Sequence, residues 1–505
     1  MRVKILRLFL SLAIVVLIAG TALAAREKVI LDSDMVELFD DGVAMIMLAN
    51  HPKVDLLGVT VVAGNGWLQP GIARGIRQLE LLGRNDIPVV AGARWPMRTG
   101  RFEAVHSNPD TPGFQSWWGY ERKMFGIGTS SYVGAFGSPE PVGTSNNPFT
   151  GPIEGWRTWY QNRYGTPPTL DILTYPNTDP RYNSFKYVPA DEFIVEQVNA
   201  NPGEVTIIAI GPCTNLMMAA MKDPTIVPKV KRVLYMGGAV NVAGNTSPAA
   251  EFNWWFDPEA ARFSVRQPWG KPAEDPLNNE YNDDITQYVV PLDVCEKLFF
   301  THEQYDKIVN LEGLNPGIKA MFENNYGPRY ASPSSTASSY VWDAITVAIL
   351  LGELDDNDIV LPPNISPTTG LFSEVGDAGY MDWWIDVDVE YNLDYGRSPG
   401  FSRQGPIGTQ KVRIINTVDE EKFWDVLYAG LDPTYATEPI IPLPTPPVAE
   451  PTPAPAEPTP TPAEPIPTVP PEEPIRKNHG GCTASPLAMM GLLALTIVPV
   501  LFKKR

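Results

Sequence analysis

Histidine and cysteine are scarce. The chain has 505 residues but only four histidines and three cysteines, and His479 and Cys482 lie in the C-terminal tail. Histidine-ligated metal chemistry and Ser-His-Asp triads therefore have little material to work with. Cys213 and Cys295 allow one disulfide in the body but no disulfide framework. Basic charge is short as well: 39 Lys and Arg stand against 58 Asp and Glu, a net charge of −19. That excludes nucleic-acid binding, which needs a basic footprint.

The apolar runs that speak of targeting sit at the two ends. Residues 1–24 have a basic start (Arg2, Lys4, Arg7), an apolar stretch over 8–18 and the small-residue site Ala22-Leu-Ala24, a secretory signal. Residues 434–479 form a linker dominated by Pro, Ala, Glu and Thr, which cannot build a core. In residues 480–505, Gly480-Gly-Cys482 precedes a charge-free run over 486–502 and terminal Lys503-Lys-Arg505. That run is just long enough to span a bilayer. The layout resembles bacterial C-terminal sorting signals; a plain tail anchor is the other reading. Both predict an exported, surface or periplasmic protein held to a membrane by its C-terminal segment. A homo-oligomer is compatible with the sequence.

What the body, residues 25–433, has in plenty is acid at one place. Val29-Ile-Leu-Asp-Ser-Asp-Met-Val-Glu-Leu-Phe-Asp-Asp-Gly42 starts as an apolar strand and then delivers Asp32, Asp34, Asp40 and Asp41 within ten residues. An apolar run ending in acids reads as a buried parallel strand with a site at its C-terminal end. Crowded carboxylates raise one another's pKa unless a cation neutralises them. Oxygen ligands favour a hard ion, Ca2+ or Mg2+. A solvated, helix-capping acidic turn is the competing reading.

Strand and helix patterns alternate along the body. Strands are predicted over 29–31, 56–62, 87–90, 205–210 and 232–236, and helices over 43–48, 72–82 and after Gly211-Pro-Cys-Thr-Asn215. Thr417-Val-Asp-Glu420 has the capping-box pattern and opens a last helix. The rhythm predicts an α/β fold: an open, mostly parallel sheet with helices on both faces, polar groups converging on one edge. Between about 94 and 189 it breaks into a large irregular insertion rich in Gly, Pro, Tyr and Trp. That insertion is read as a lid or wall, or equally as a surface elaboration stabilised by its own aromatics.

A second chemical stretch runs Met236-Gly-Gly-Ala-Val-Asn-Val-Ala-Gly-Asn-Thr-Ser-Pro-Ala-Ala-Glu-Phe-Asn-Trp-Trp-Phe-Asp-Pro-Glu259. Its Asn241, Asn245, Glu251, Asn253 and Asp257 suit a polyhydroxyl ligand, whose hydroxyls need donors and acceptors together. With the acidic turn, Val62-Ala-Gly-Asn65, Ile210-Gly-Pro-Cys-Thr-Asn215 and Trp342-Asp343-Ala, this stretch resembles the inosine/uridine-preferring nucleoside hydrolase family. The resemblance runs from about residue 29 to 430.

It implies an N-ribohydrolase that takes a small-molecule nucleoside. Asp34, Asp41, Asp343 and the backbone carbonyl of Ile210 would ligate Ca2+, and Asp34 would orient and deprotonate the attacking water. Asp40, Asn65, Asn245, Glu251 and Asn253 would hold the ribose hydroxyls. Met236 would pack under the sugar, and Asp32 would support from behind. Cleavage of an N-ribosidic bond builds positive charge on the ribose, which carboxylates stabilise.

Two departures from the family pattern stand out. The family usually places three residues between its first Asp-x-Asp and the following Asp pair; here five, residues 35–39, separate Asp34 from Asp40. Either the excess bulges, or Glu37 enters the site. The residue before the last implied ligand is often a histidine that protonates the base; here it is Trp342. That resembles the purine-specific branch, where an aromatic stack activates the leaving purine, with Trp67, Trp95, Trp117 or Trp118 as candidate second faces. Two rivals are a non-catalytic nucleoside or sugar receptor and a haloacid-dehalogenase-like phosphatase with Asp32 as nucleophile.

Overall fold

A computed structural model of the chain describes residues 26–38, 40–98, 132–137, 155–174, 189–271, 284–362 and 379–435. The signal segment, the linker beyond Tyr435 and the tail lie outside the described residues, as do Trp117 and Trp118. Among the described residues, no helix is long and apolar enough to cross a membrane.

The first half of the fold alternates as predicted: β1 (Glu27–Ser33), α1 (Asp41–Asn50), β2 (Val54–Val61), α2 (Leu68–Leu82) and β3 (Val89–Ala91). The predicted third strand shifts by one to two residues because Pro88 has no N–H to give the ladder. The insertion contributes α3 (Gly155–Tyr164), after which α4 (Pro189–Ala200), β4 (Val205–Ala209), α5 (Thr214–Lys222) and β5 (Arg232–Met236) resume the rhythm. Next come α6 (Phe252–Phe256), α7 (Pro258–Val265), β6 (Gln287–Val290), α8 (Leu292–Cys295) and β7 (Phe299–Phe300). The chain continues through α9 (His302–Val309), α10 (Pro316–Tyr330), β8 (Ser339–Tyr340) and α11 (Asp343–Leu354). It closes with β9 (Tyr380–Ile385), β10 (Gly400–Phe401), β11 (Gln410–Ile415) and α12 (Glu420–Leu431).

Nine strands form one sheet in the order β10-β9-β11-β6-β5-β4-β1-β2-β3. From β6 to β3 all pairs are parallel; β9 is antiparallel to both of its neighbours, which gives the sheet a mixed edge. From β1 the chain steps one way to β2 and β3, then returns to place β4 on the other side of β1. Loops leaving β1 and β4 therefore diverge and open a crevice, the usual ligand position in such sheets.

β1 shows why the core has two halves. Val29 and Leu31 face the apolar layer built with α1, α2, α11 and α12, whereas Ile30 faces the layer built with α4, α5 and α7; all three side chains are fully buried. Cys213 and Cys295 belong to these opposite layers and are both free thiols, so the disulfide that the sequence allows is not formed.

Two further expectations are corrected. Thr417 does not cap the last helix: its N–H is tied to the Gly379 carbonyl, and the Asp419 side chain accepts from the Lys422 N–H at 3.1 Å instead. The insertion is not wholly irregular, since Trp156 and Tyr160 of α3 are buried in the main core against α2 and Arg74 lies over the Trp159 ring.

Candidate active site

Parallel strand ends supply the site. Asp34 follows β1, Asn65 follows β2, Ile210 follows β4, and Met236 ends β5. The buried Asp34 carboxylate accepts from the Asn65 N–H at 2.5 Å and from Asn65 Nδ2 at 3.3 Å. Residue 64 must be glycine for this approach, because a Cβ there would stand 2.1 Å from Asp34 Oδ2. Asn65 Nδ2 also donates to Asp41 Oδ2 at 3.0 Å, and Ser33 Oγ donates to Asp41 Oδ1 at 2.5 Å. Asp41 opens α1 and Asp343 opens α11; the Asp343 N–H donates to Asp40 Oδ1 at 3.0 Å. Two helix N-termini thus present partial positive charge to the acids.

That charge is not enough. Burial raises the Asp34 carboxyl well above its ordinary range, and Asp41 and Asp40 add to it. Burial, with Asp40 beside it, lifts Asp41 to about 6. Asp343 is raised well above its ordinary value by burial and by Asp40, Asp41 and Asp34. Asp40 is raised by burial, its contacts with Asp343 working the other way. No described lysine or arginine forms an ion pair with any of the four.

Among the described residues no three acid, histidine or cysteine side chains stand as a ready-made ion cage. The acids meet in pairs instead, Asp34 with Asp41 and Asp40 with Asp343. Buried carboxyls that meet head-on need a shared proton or a cation between them. Asp343 Oδ2 is buried with no hydrogen-bond partner, so its lone pairs are unsatisfied. The donor set is all oxygen and suits a hard cation such as Ca2+.

Behind this quartet, Asp32 is fully buried, its Oδ1 accepting from Thr60 Oγ1 at 2.6 Å and Asn215 Nδ2 at 2.7 Å; burial lifts it to about 7. The phosphatase alternative needs Asp32 as an exposed nucleophile, and this enclosure rules that role out.

The lengthened turn bulges, and Glu37 points away from the acids. Its carboxylate receives Tyr164 Oη, Arg163 at 3.1 Å and Asn325 Nδ2 at 3.2 Å. Burial opposes the Glu37 charge, but these partners outweigh it and hold the carboxyl below its usual range. Inside the bulge, Gln78 of α2 accepts from the Leu38 N–H at 2.9 Å and donates to the Val36 carbonyl at 3.1 Å.

The other wall comes from the loop after β5. Glu251 Oε1 and Oε2 accept from the N–H groups of Asn253 (2.7 Å), Gly238 (3.0 Å) and Trp254 (3.1 Å). Glu251 therefore caps α6 and pins Gly238, and burial lifts it to about 7. Asn253 Nδ2 donates to the Ile210 carbonyl at 3.1 Å and the Met236 carbonyl at 3.2 Å, knitting three of the expected site residues together. Asn245 Oδ1 accepts the Phe252 N–H at 2.9 Å. Asn241 and Asp257 stand apart: Asn241 is exposed with its backbone held by Asp293, and Asp257 is a buried cap bound to Thr214 and Met97.

Trp342 is the half-buried N-cap of α11, 6.1 Å from Tyr340 ring to ring. Trp67 and Trp95 pack edge to face at 5.2 Å, with Trp67 buried beside Ala63. Tyr132, which carried no sequence signal, donates from its hydroxyl to Asn65 Oδ1 at 2.7 Å. Thr60 and Gln78 were equally silent, because each is defined by a partner far away in sequence.

Comparison with known proteins identifies a family. The profile of the inosine-uridine preferring nucleoside hydrolases matches residues 29–425. A pyrimidine-specific ribonucleoside hydrolase of Escherichia coli O157:H7, RihB, is 29% identical over 403 residues, spanning 80% of this chain and 96% of its own. An inosine-guanosine nucleoside hydrolase superposes with a TM-score of 0.51 at 20% identity, covering 80% of this chain and 98% of that one. A plant nucleoside hydrolase does so at 0.50 and 22% identity, covering 80% and 99%. Those two likenesses establish the fold. The family is metal-dependent, generally through Ca2+. The chain belongs to the inosine-uridine preferring nucleoside hydrolase family of N-glycosyl hydrolases.

Proposed function

We propose that the protein is an exported, Ca2+-dependent hydrolase that splits purine ribonucleosides into base and ribose. One observation carries this reading: Asp34, Asp40, Asp41 and Asp343 are carboxylates gathered at a strand-end crevice, raised in pKa and, among the described residues, without a cationic partner. Asp34, Asp41, Asp343 and the Ile210 carbonyl are the proposed ion ligands. Asp40, Asn65, Asn245, Glu251 and Asn253 are the proposed ribose contacts, with Met236 under the sugar.

When bound, Ca2+ offsets the repulsion among the acids, holds the ribose hydroxyls and makes water easier to deprotonate. Asp34 takes the proton of the water that attacks C1′. The C1′–N bond breaks, and its electron pair leaves with the base. Positive charge growing on the ribose is met by Asp40 and its neighbours. Trp342 stacks on the departing base, and the larger overlap favours purines. RihB, pyrimidine-specific by name, is a relative of opposite preference, so the base requires its own test. Export rests on the character of residues 1–24, and membrane attachment on that of 480–505.

The test is ribose release from inosine, guanosine, adenosine and uridine, with and without chelator, by wild type and Asp34→Ala. Release from purines that chelator and the substitution both abolish is the expected result. Tight nucleoside binding with no ribose released would convert the reading to a receptor. Faster release from uridine than from inosine would refute the purine preference alone.

A further inference from the structure

The stretch between Asp34 and Asp40 departs from the family spacing, and Glu37 within it has an unusual setting for a surface glutamate. Only 10% of the Glu37 side chain is exposed. Its carboxylate is gripped by Tyr164 and Arg163 of α3 and by Asn325 of α10, and the Tyr326 hydroxyl donates to the Glu37 carbonyl at 3.4 Å. α3 belongs to the insertion, and α10 lies in the segment leading to Asp343. The next residue, Leu38, has φ +56°, a left-handed conformation that costs a residue other than glycine about 1–2 kcal/mol. Asp40 and Asp41 lie two and three residues further on, so relaxation of the strained residue bears on two of the four crowded acids.

We propose that Glu37 is a positioning residue that fastens the acidic turn to the insertion helix α3 and to α10, so that cation affinity at Asp34, Asp41 and Asp343 depends on that clamp. The inference rests on the proposed Ca2+ site. A different account is available: Gln78 holds the turn from inside, and Glu37–Arg163 is a surface pair of little energetic consequence. The two accounts separate in direct binding.

Ca2+ affinity is measured on the chelator-stripped full chain by titration calorimetry, for wild type, Glu37→Gln, Arg163→Ala and the double variant. Alongside, amide hydrogen exchange is followed over residues 35–41. The clamp predicts that Ca2+ affinity falls about tenfold in each single variant, the size typical when a supporting partner of metal ligands is removed. It also predicts that the double variant is no worse than Glu37→Gln, that exchange quickens over residues 35–38, and that saturating Ca2+ restores turnover. Arg163 is half exposed, so its replacement keeps the fold even if Glu37→Gln does not. Wild-type-like Ca2+ affinity and exchange in both single variants would overturn the clamp and leave the proposed function standing. A wild type that neither binds Ca2+ nor releases ribose would overturn both.

Discussion

The two ends of β1 treat buried acid in opposite ways. At its start, Glu27 is 8% exposed yet receives Lys231 Nζ at 2.6 Å, Thr206 Oγ1 at 2.6 Å and Arg232 at 3.4 Å. Burial works against its charge, but those partners prevail and its pKa is lowered. Seven residues on, Asp34 begins a quartet of acids with no lysine or arginine partner among the described residues, and their pKa values rise. One strand, buried except at Lys28, carries a satisfied acid at one end and leads into an unsatisfied cluster at the other. Charge left uncompensated in a fold able to compensate it marks the end where chemistry happens.

The comparison can be broken at either end. The largest effect belongs to Asp34→Asn, which keeps size but removes the proton acceptor. Ribose release falls about a thousandfold, the middle of the range for a lost general base, while the far-ultraviolet circular dichroism spectrum is unchanged. Retention of more than a tenth of the wild-type rate would remove Asp34 from the mechanism.

Cation and pH act together on stability. A carboxyl with a raised folded-state pKa binds more protons folded than unfolded, so stability falls as pH climbs between the two values. The unfolded value is about 4; the folded values reach about 6 for Asp41 and about 7 for Asp32. The chelated protein therefore melts at a lower temperature at pH 7 than at pH 5. Ca2+ at a hundred times its pH 7 dissociation constant adds about 2.7 kcal/mol at pH 7, and the same concentration adds less at pH 5, where protons compete for the carboxylates. A melting temperature that rises from pH 5 to pH 7 in chelator would contradict the unpaired-acid account.

At the other end, Glu27→Gln takes the carboxylate away from Lys231, while Arg232 keeps Glu353 at 2.7 Å. Denaturant titration should show a loss of about 1–2 kcal/mol, with turnover at saturating substrate untouched. The smallest effect is at the base: a stacking contact is worth about 0.5–1.5 kcal/mol, so Trp342→Ala lowers kcat/KM for inosine up to about tenfold. Uridine suffers less. Equal losses for both bases would make Trp342 a packing residue only.

Most of this layout was legible because buried parallel strands are apolar runs ended by Gly, Asn or Asp. Residues 205–210 and 232–236 needed no partner to be recognised. The antiparallel edge was harder. Tyr380–Ile385 mixes Asp with Trp and takes its register from Gln410–Ile415, a distant segment. Helix α3 hid in a stretch of Trp, Tyr, Arg and Asn, since what fixes it is the burial of Trp156 and Tyr160 against α2. At the site, the acids announced themselves through their own density. Their supports did not: Gln78, Tyr132 and the Glu37 clamp are defined by residues tens of positions away, and nothing local distinguishes them from ordinary surface residues.

The most direct test of the cation deficit is calorimetric titration of Ca2+ into the chelator-stripped protein and into Asp343→Asn. The account predicts one site per chain in wild type and weakening of at least a hundredfold in the variant, since a ligand itself is lost rather than its support. Binding of equal strength in the two proteins, or no binding heat in wild type at any Ca2+ concentration, would contradict it.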